Sequence, residues 1–169
     1  MAGKADFTPD EWKALLASPM IVGMAVLAAD PSGIIGMLKE SMASARALVA
    51  AKTDPNADAL VKAVAADFET SEGRGTAQDG VKAAISGSSA ADLKPKAIAA
   101  LANVAVILNA KALADAVPFK TWLTGVAKSV AEASSEGGFL GFGGVQVSEA
   151  EKATLTEIAA ALGVPAPAV

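Results

Sequence analysis

The chain has 169 residues, a formal net charge of −4 and about a quarter alanine, and it contains no histidine, cysteine or tyrosine. The missing histidine and cysteine exclude the side chains that most often supply acid–base catalysis near neutral pH, thiol chemistry and zinc ligation. The 14 lysines and arginines are scattered without a basic stripe, which argues against nucleic-acid binding. With 53% hydrophobic residues, a chain of this length suits a single domain with a buried core.

The first elements are predicted to be helices. Thr8-Pro9-Asp10-Glu11 is a capping box with proline at the first helical position, and it predicts a helix to about residue 17. Ser18-Pro19 predicts a new start, because proline cannot donate to the preceding turn. The nearly all-apolar segment 20–29 is then expected at the centre of the bundle. After a turn at residues 30–33, helices are predicted at about 34–52 and 57–70.

The second half of the chain also carries helix signals. Residues 71–75 contain two glycines and are interpreted as a loop or a kink before a short helix at 77–86. The longest helix is predicted at 91–116, and Pro118 is predicted to restart a helix that ends at about 134.

The last part of the chain combines an unusual loop with a clear helix. Residues 136–147 are rich in glycine and phenylalanine, and a capping box at Ser148 to Glu151 then predicts a helix to about 162. Gly163 and the prolines that follow predict a non-helical tail over 163–169. The expected fold is therefore all-α: a single domain over 1–169, arranged as a bundle or irregular array of seven to eight helices.

The mean hydropathy of +0.43 raises the question of a membrane span. The most apolar run, 19–29, covers 11 residues, whereas a span takes about 20. No transmembrane segment is predicted, and the polar start of the chain does not resemble a secretory signal. We expect a cytoplasmic protein.

The glycine-rich loop holds the candidate interaction residues Phe139, Leu140 and Phe142. One interpretation is a loop folded over the core, with its glycines adopting positive φ. A second is a docking surface for a partner, a second subunit or a bilayer, since clustered exposed aromatic residues mark contact sites. Phosphate binding is the weakest interpretation, because no Gly-Lys-Ser or Gly-Lys-Thr closes the loop.

The candidate metal ligands are four carboxylates, Asp67, Glu69, Glu72 and Asp79. Carboxylates bind hard cations such as magnesium or calcium, although this spacing does not match an EF-hand loop. The alternative is a solvated helix end with local ion pairs. No catalytic residue and no cofactor are predicted from the sequence.

Two asparagines, Asn103 and Asn109, interrupt an otherwise apolar helical stretch. We expect Asn103 to be buried and either to bond a neighbouring backbone group or to fix the helix register, since a buried amide must be satisfied. A ligand contact is the alternative.

Two stretches resemble the opening and closing helices of tellurite-resistance B-like (TerB-like) domains. They are Gly23 to Asp30 followed by Pro31-Ser32-Gly33, and Val147 to Glu151 leading to Ile158 to Gly163. The resemblance implies an all-helical bacterial domain linked to stress responses and metal binding. The chain departs from the family pattern at Ile34-Ile35, where acidic residues are expected.

Three functions follow from these observations. The first is a non-enzymatic helical protein that acts by self-association or through a protein partner, in a stress-related role. The second is a carrier that holds a small apolar ligand or pigment between helices lined by methionine and alanine. The third is a carboxylate-based metal-binding protein.

Overall fold

The computed structural model describes residues 1–29, 48–135 and 147–169, and this part of the chain is helical and contains no strand. The all-α prediction is therefore confirmed. The described residues form seven α-helices and two short 3-10 turns, at Lys4–Asp6 and Ala90–Asp92. The helices are α1 (Pro9–Leu27), α2 (48–53), α3 (Ala59–Phe68), α4 (Ser71–Ile85), α5 (Leu93–Lys111), α6 (Leu113–Ser135) and α7 (Glu149–Leu162).

Helix α1 lies at the centre of the molecule. It packs against α3, α4, α5, α6 and α7, most extensively against α4 and α5. Its start is fixed by Thr8, whose hydroxyl accepts a hydrogen bond from the Glu11 N–H, while the Glu11 carboxylate accepts one from the Thr8 N–H. Leu15, Leu16 and Val22 are fully buried. The expectation that the apolar segment 20–29 occupies the centre is confirmed for the part that lies in α1.

The prediction of two helices separated at Ser18-Pro19 is wrong, because α1 is continuous and Pro19 lies inside it. Proline has no N–H to donate to the Leu15 carbonyl four residues earlier. The Ser18 hydroxyl donates to that carbonyl at 2.7 Å and replaces the missing backbone donor. The helix therefore passes the proline without leaving a buried carbonyl unsatisfied.

The predicted loop or kink at 71–75 is also wrong, since these residues form the first turns of α4. Thr70 caps the helix by accepting a hydrogen bond from the Gly73 N–H at 2.8 Å. A Cβ at Gly73 would overlap the carbonyl of Asp67, so glycine lets the end of α3 approach α4 closely. Gly80 acts similarly against α1, where a Cβ would lie 2.9 Å from the Lys13 carbonyl oxygen.

The boundary between α5 and α6 lies earlier than predicted. The chain leaves helical geometry at Ala112, with φ −139° and ψ 48°, and α6 begins at Leu113, so Pro118 lies inside α6. Pro118 cannot donate to the carbonyl of Ala114. Since Ala114 is exposed near the helix start, that carbonyl can bond water instead.

The final helix agrees with the sequence. The Ser148 and Glu151 capping box is formed at its start, and Gly163 ends it in the left-handed region with φ 70°. Residues 164–169 are not helical. Across the part of the chain described here, no helix is both long enough and apolar enough to cross a bilayer.

Candidate ligand-binding cavity

A cavity of about 500 Å³ lies between α2, α3 and α6. Its apolar surface comes from Val61 on α3 and from Trp122 and Val126 on α6, together with several alanines. Its acidic side comes from Asp54 and Asp58, on the connection between α2 and α3. The cavity thus combines a mainly apolar lining with two carboxylates on one side.

Both carboxylates are held by the backbone of that connection. Asp54 Oδ1 accepts a hydrogen bond from the Asn56 N–H at 2.8 Å. Asp58 caps α3 by accepting from the Leu60 N–H at 2.9 Å. Within the described ranges, neither carboxylate forms an ion pair with a lysine or arginine. Each negative charge is therefore positioned by the fold without a protein cation opposite it.

A third carboxyl group, that of Asp115 on α6, is hydrogen-bonded to Asp58 and is not among the residues that line the cavity. Asp115 is buried, with 4% of its surface exposed, and it accepts a hydrogen bond from the Ala2 N–H at 2.9 Å. The Met1 ammonium lies 3.8 Å away. Burial, together with the charge and hydrogen bond of Asp115, raises the pKa of Asp58, although the Leu60 and Val61 N–H groups act in the opposite direction.

The aromatic side of the cavity is held in place by the core. Trp122 is half-buried and packs edge-on against the fully buried Phe119, with ring centroids 5.2 Å apart and planes at 68°. One turn further along α6, Gly125 faces open space, because a Cβ added there would meet no atom within 4 Å. The cavity therefore has a fixed aromatic group and room beside it.

A second cavity, of about 570 Å³, lies between α1, α4 and α5. Lys13, Lys96 and Asn103 contribute to its lining, with Ile21 and Val104 among the apolar contributors. The expectation of a buried Asn103 is wrong, because its side chain is exposed at this cavity.

The other asparagine, Asn109, is also exposed. Its Oδ1 accepts a hydrogen bond from Lys120 Nζ at 2.6 Å, which joins α5 to α6. Lys120 has 5% of its surface exposed, and burial lowers its pKa.

Asp67, one of the four candidate metal ligands, is bound within the fold. It accepts a hydrogen bond from Trp12 Nε1 at 2.6 Å and lies 3.1 Å from Lys4 Nζ. Burial alone raises the pKa of Asp67, but the hydrogen bonds from Trp12 and Lys4 outweigh it and the pKa is lowered. The carboxylate thus anchors the N-terminal turn and α1 to the end of α3.

The remaining candidates have separate surroundings. Glu69 pairs with Lys52 at 2.6 Å, Asp79 pairs with Lys82 at 3.3 Å, and Glu72 is exposed. In the ranges that the structure describes, no three histidine, cysteine, aspartate or glutamate side chains come together in a way that could hold a metal ion. The candidate interaction residues Phe139, Leu140 and Phe142 lie outside the described residues.

The sequence did not single out Asp58, Trp122 or Gly125 as site residues. Asp58 falls inside the helix predicted at 57–70, and Trp122 falls inside the helix predicted after Pro118. Neither position indicates that the two side chains line one cavity.

Comparison of the chain with family models, with curated proteins and with solved structures finds no match. The resemblance to tellurite-resistance B-like domains stays a prediction from the quoted stretches. The function is therefore argued from the geometry of the chain itself.

Proposed function

We propose that this protein is a non-enzymatic binding protein that carries a small organic molecule in the cavity between α2, α3 and α6. The observation that carries the proposal is the cavity itself. Its volume of about 500 Å³ falls within the range of about 300–1,000 Å³ typical of small-molecule sites. Such sites combine a mainly apolar lining with a few placed polar groups, as Trp122, Val126 and Asp58 do here.

The composition of the chain also favours binding over catalysis. It has no histidine or cysteine, so a catalytic role would have to use carboxylates, lysine or hydroxyl groups alone. A carrier requires none of these side chains to react, only a stable scaffold around the ligand.

A cavity-filling variant tests the proposal. In Gly125→Leu the new side chain would enter the cavity, and its Cβ meets no existing atom within 4 Å. Gly75→Leu is the matched control, since Gly75 is also a helical glycine with open space at its Cβ position and does not line this cavity. Native mass spectrometry of the purified protein is expected to show a bound mass in the unsubstituted chain and in Gly75→Leu, and its loss in Gly125→Leu.

A thermal-shift screen against small organic compounds extends this test to a ligand that is lost during purification. Binding to the native state raises stability by mass action. Compounds that stabilise the unsubstituted chain and Gly75→Leu are expected to have no effect on Gly125→Leu. Equal responses of all three proteins, or no response from any of them together with no bound mass, would contradict the carrier function.

A second candidate function is association with a second copy or a protein partner. Three large apolar side chains flank the α5–α6 junction and are well exposed: Val106 at 65%, Leu113 at 75% and Val117 at 63%. Leu113 and Val117 are one turn apart on α6, so they lie on the same face. Clustered exposed apolar groups mark contact surfaces more often than single ones do.

Substitutions on two apolar segments test the association. Leu113→Ser with Val117→Ser, and separately Phe139→Ser with Phe142→Ser, are expected to lower the mass measured by light scattering if either segment forms the interface. Val49→Ser is the control, because Val49 is 57% exposed on a different helix. A monomeric mass for the unsubstituted chain, with no co-purifying protein, would rule this function out.

A further inference from the structure

The charge in the α2–α3–α6 cavity has one sign. Among the described residues that line it, Asp54 and Asp58 are acidic and none is a lysine or arginine. The α1–α4–α5 cavity differs, because Lys13 and Lys96 lie there beside Asp10. A ligand that matches the first cavity must therefore supply positive charge, whereas the second has no such requirement.

The surroundings of Asp58 strengthen this requirement. The ionisable group that acts on its carboxyl, through its charge and a hydrogen bond, is another acid, Asp115. The Met1 ammonium lies 3.8 Å from Asp115, and Asp54 lines the same cavity as Asp58. A cation in the cavity would approach Asp58 from the side that has no positive charge, and would reduce the repulsion between the two carboxyls.

The rest of the lining favours an organic cation over a metal ion. Trp122, Val61 and Val126 offer apolar and aromatic surface, which contributes nothing to coordinating a hard cation. An indole ring attracts an ammonium group through its electron-rich face and packs well against a flat apolar body. A volume of about 500 Å³ also exceeds what a single ion needs.

We propose that this cavity binds a protonated amine on an apolar body, with the ammonium against Asp58 and the body along Trp122 and Val126. This inference rests on the proposed carrier function and names its ligand class.

The chain offers a direct readout of binding, because it contains two tryptophans. Trp122 lines the cavity, whereas Trp12 is 3% exposed and donates its indole N–H to Asp67, so its signal is an internal control. The two indole N–H signals are followed by NMR during titration with benzylamine and, separately, with the neutral benzyl alcohol. We expect benzylamine to shift the Trp122 signal saturably with an affinity about tenfold or more above that of benzyl alcohol, because it adds a charge-assisted hydrogen bond.

Asp58→Asn isolates the contribution of the charge. Asparagine caps a helix about as well as aspartate, so α3 keeps its cap. The variant is expected to lose about tenfold in benzylamine affinity and to bind benzyl alcohol unchanged. Asp79→Asn is the control, since it removes one negative charge from an exposed carboxylate on α4 that does not line the cavity.

The outcomes separate this inference from the carrier function. Equal affinity for amine and alcohol, unaffected by Asp58→Asn, would leave a carrier but overturn the cationic ligand. The cationic ligand would also be overturned, and the carrier retained, if neither probe shifts the Trp122 signal while native mass spectrometry shows another bound molecule that is lost in Gly125→Leu. If neither probe shifts Trp122 and no bound mass or thermal shift depends on Gly125, the carrier function fails and the cationic ligand fails with it.

Discussion

Replacing Ser18 with alanine tests how α1 passes its internal proline. In the structure the Ser18 hydroxyl donates to the Leu15 carbonyl at 2.7 Å, and Pro19 removes the backbone N–H that would otherwise bond it. Ser18 and Leu15 are both fully buried, so water does not reach the carbonyl in the folded protein. Ser18→Ala therefore leaves a buried acceptor without a donor.

The expected cost follows from two opposing effects. An unsatisfied buried polar group costs about 1–3 kcal/mol, and alanine returns about 0.5 kcal/mol through its higher helix propensity. The net loss in the free energy of unfolding is about 0.5–2.5 kcal/mol. For a chain of this length, that corresponds to a fall in Tm of about 1–10 °C, measured by circular dichroism during heating.

A double-mutant cycle with Pro19→Ala isolates the mechanism. Alanine at position 19 restores an N–H for the Leu15 carbonyl, so Ser18→Ala is expected to cost less than about 0.5 kcal/mol in that background. Packing lost with the proline ring is common to both arms and cancels. An equal cost of Ser18→Ala with and without Pro19 would refute the role given to the hydroxyl.

Three further substitutions test the packing and electrostatics by thermal unfolding. Gly80→Ala is expected to lower the free energy of unfolding by about 1–3 kcal/mol, because a Cβ there would lie 2.8–2.9 Å from atoms of α1. Gly75→Ala is expected to raise it by up to about 1 kcal/mol, because Gly75 faces open space. An equal loss of stability at both positions would contradict this packing. Burial and Asp115 raise the pKa of Asp58, so the stability of the protein falls as pH rises through the pKa of the folded state. Asp58→Asn should therefore raise Tm at pH 7 and give no gain below pH about 4. A difference in Tm that does not depend on pH would contradict this prediction. Burial lowers the pKa of Lys120, so the stability of the unsubstituted chain rises with pH from the folded pKa toward pH about 10.4. Lys120→Met also removes the hydrogen bond to Asn109, so the test is the pH dependence: the Tm of the variant relative to the unsubstituted chain should fall as pH rises toward about 10.4, and a relative Tm that climbs would reverse the argument.

Signals that depend on a few neighbouring residues predicted the fold correctly. The capping boxes at Thr8 with Glu11 and at Ser148 with Glu151 are both formed, because each is completed within one turn of helix. Gly163 ends α7 for an equally local reason, its positive φ. The all-α class followed from such signals and from apolar residues spaced at three and four.

The predictions at Ser18-Pro19 and at 71–75 were wrong because the structure there depends on more than the local sequence. Helix α1 tolerates Pro19 because the Ser18 hydroxyl donates to the Leu15 carbonyl. The same hydroxyl could instead cap a new helix, so the sequence pattern allows both structures. The two glycines of 71–75 favour a loop or a kink, but Gly73, like Gly80 in the following helix, is a position where another backbone comes close. Local propensity does not take account of a neighbouring backbone from another part of the chain.

The cavity was beyond prediction because it depends on long-range contacts. Asp58 caps the start of α3, and Trp122 packs against Phe119 on α6. Each therefore has an ordinary local role, and the two residues are far apart in sequence. The acidic pair of Asp58 and Asp115 is likewise formed by packing α3 near the start of α6. The carboxylates at 67–79, which are close together in sequence, form ion pairs and one hydrogen bond to Trp12 rather than a metal site.

Glycine serves two different purposes in this fold: Gly80 allows close packing of two helices, and Gly125 leaves space in the cavity. At Gly80 the absent side chain is replaced by α1, whose Ala17 Cβ and Lys13 carbonyl fill the space. At Gly125 no atom lies within 4 Å of the corresponding position, so the space remains as part of the cavity. Because a ligand there would add packing contacts to α6 without displacing side chains of the described core, occupancy should stabilise the fold, and Gly125→Leu should raise the stability of the unliganded protein while abolishing binding.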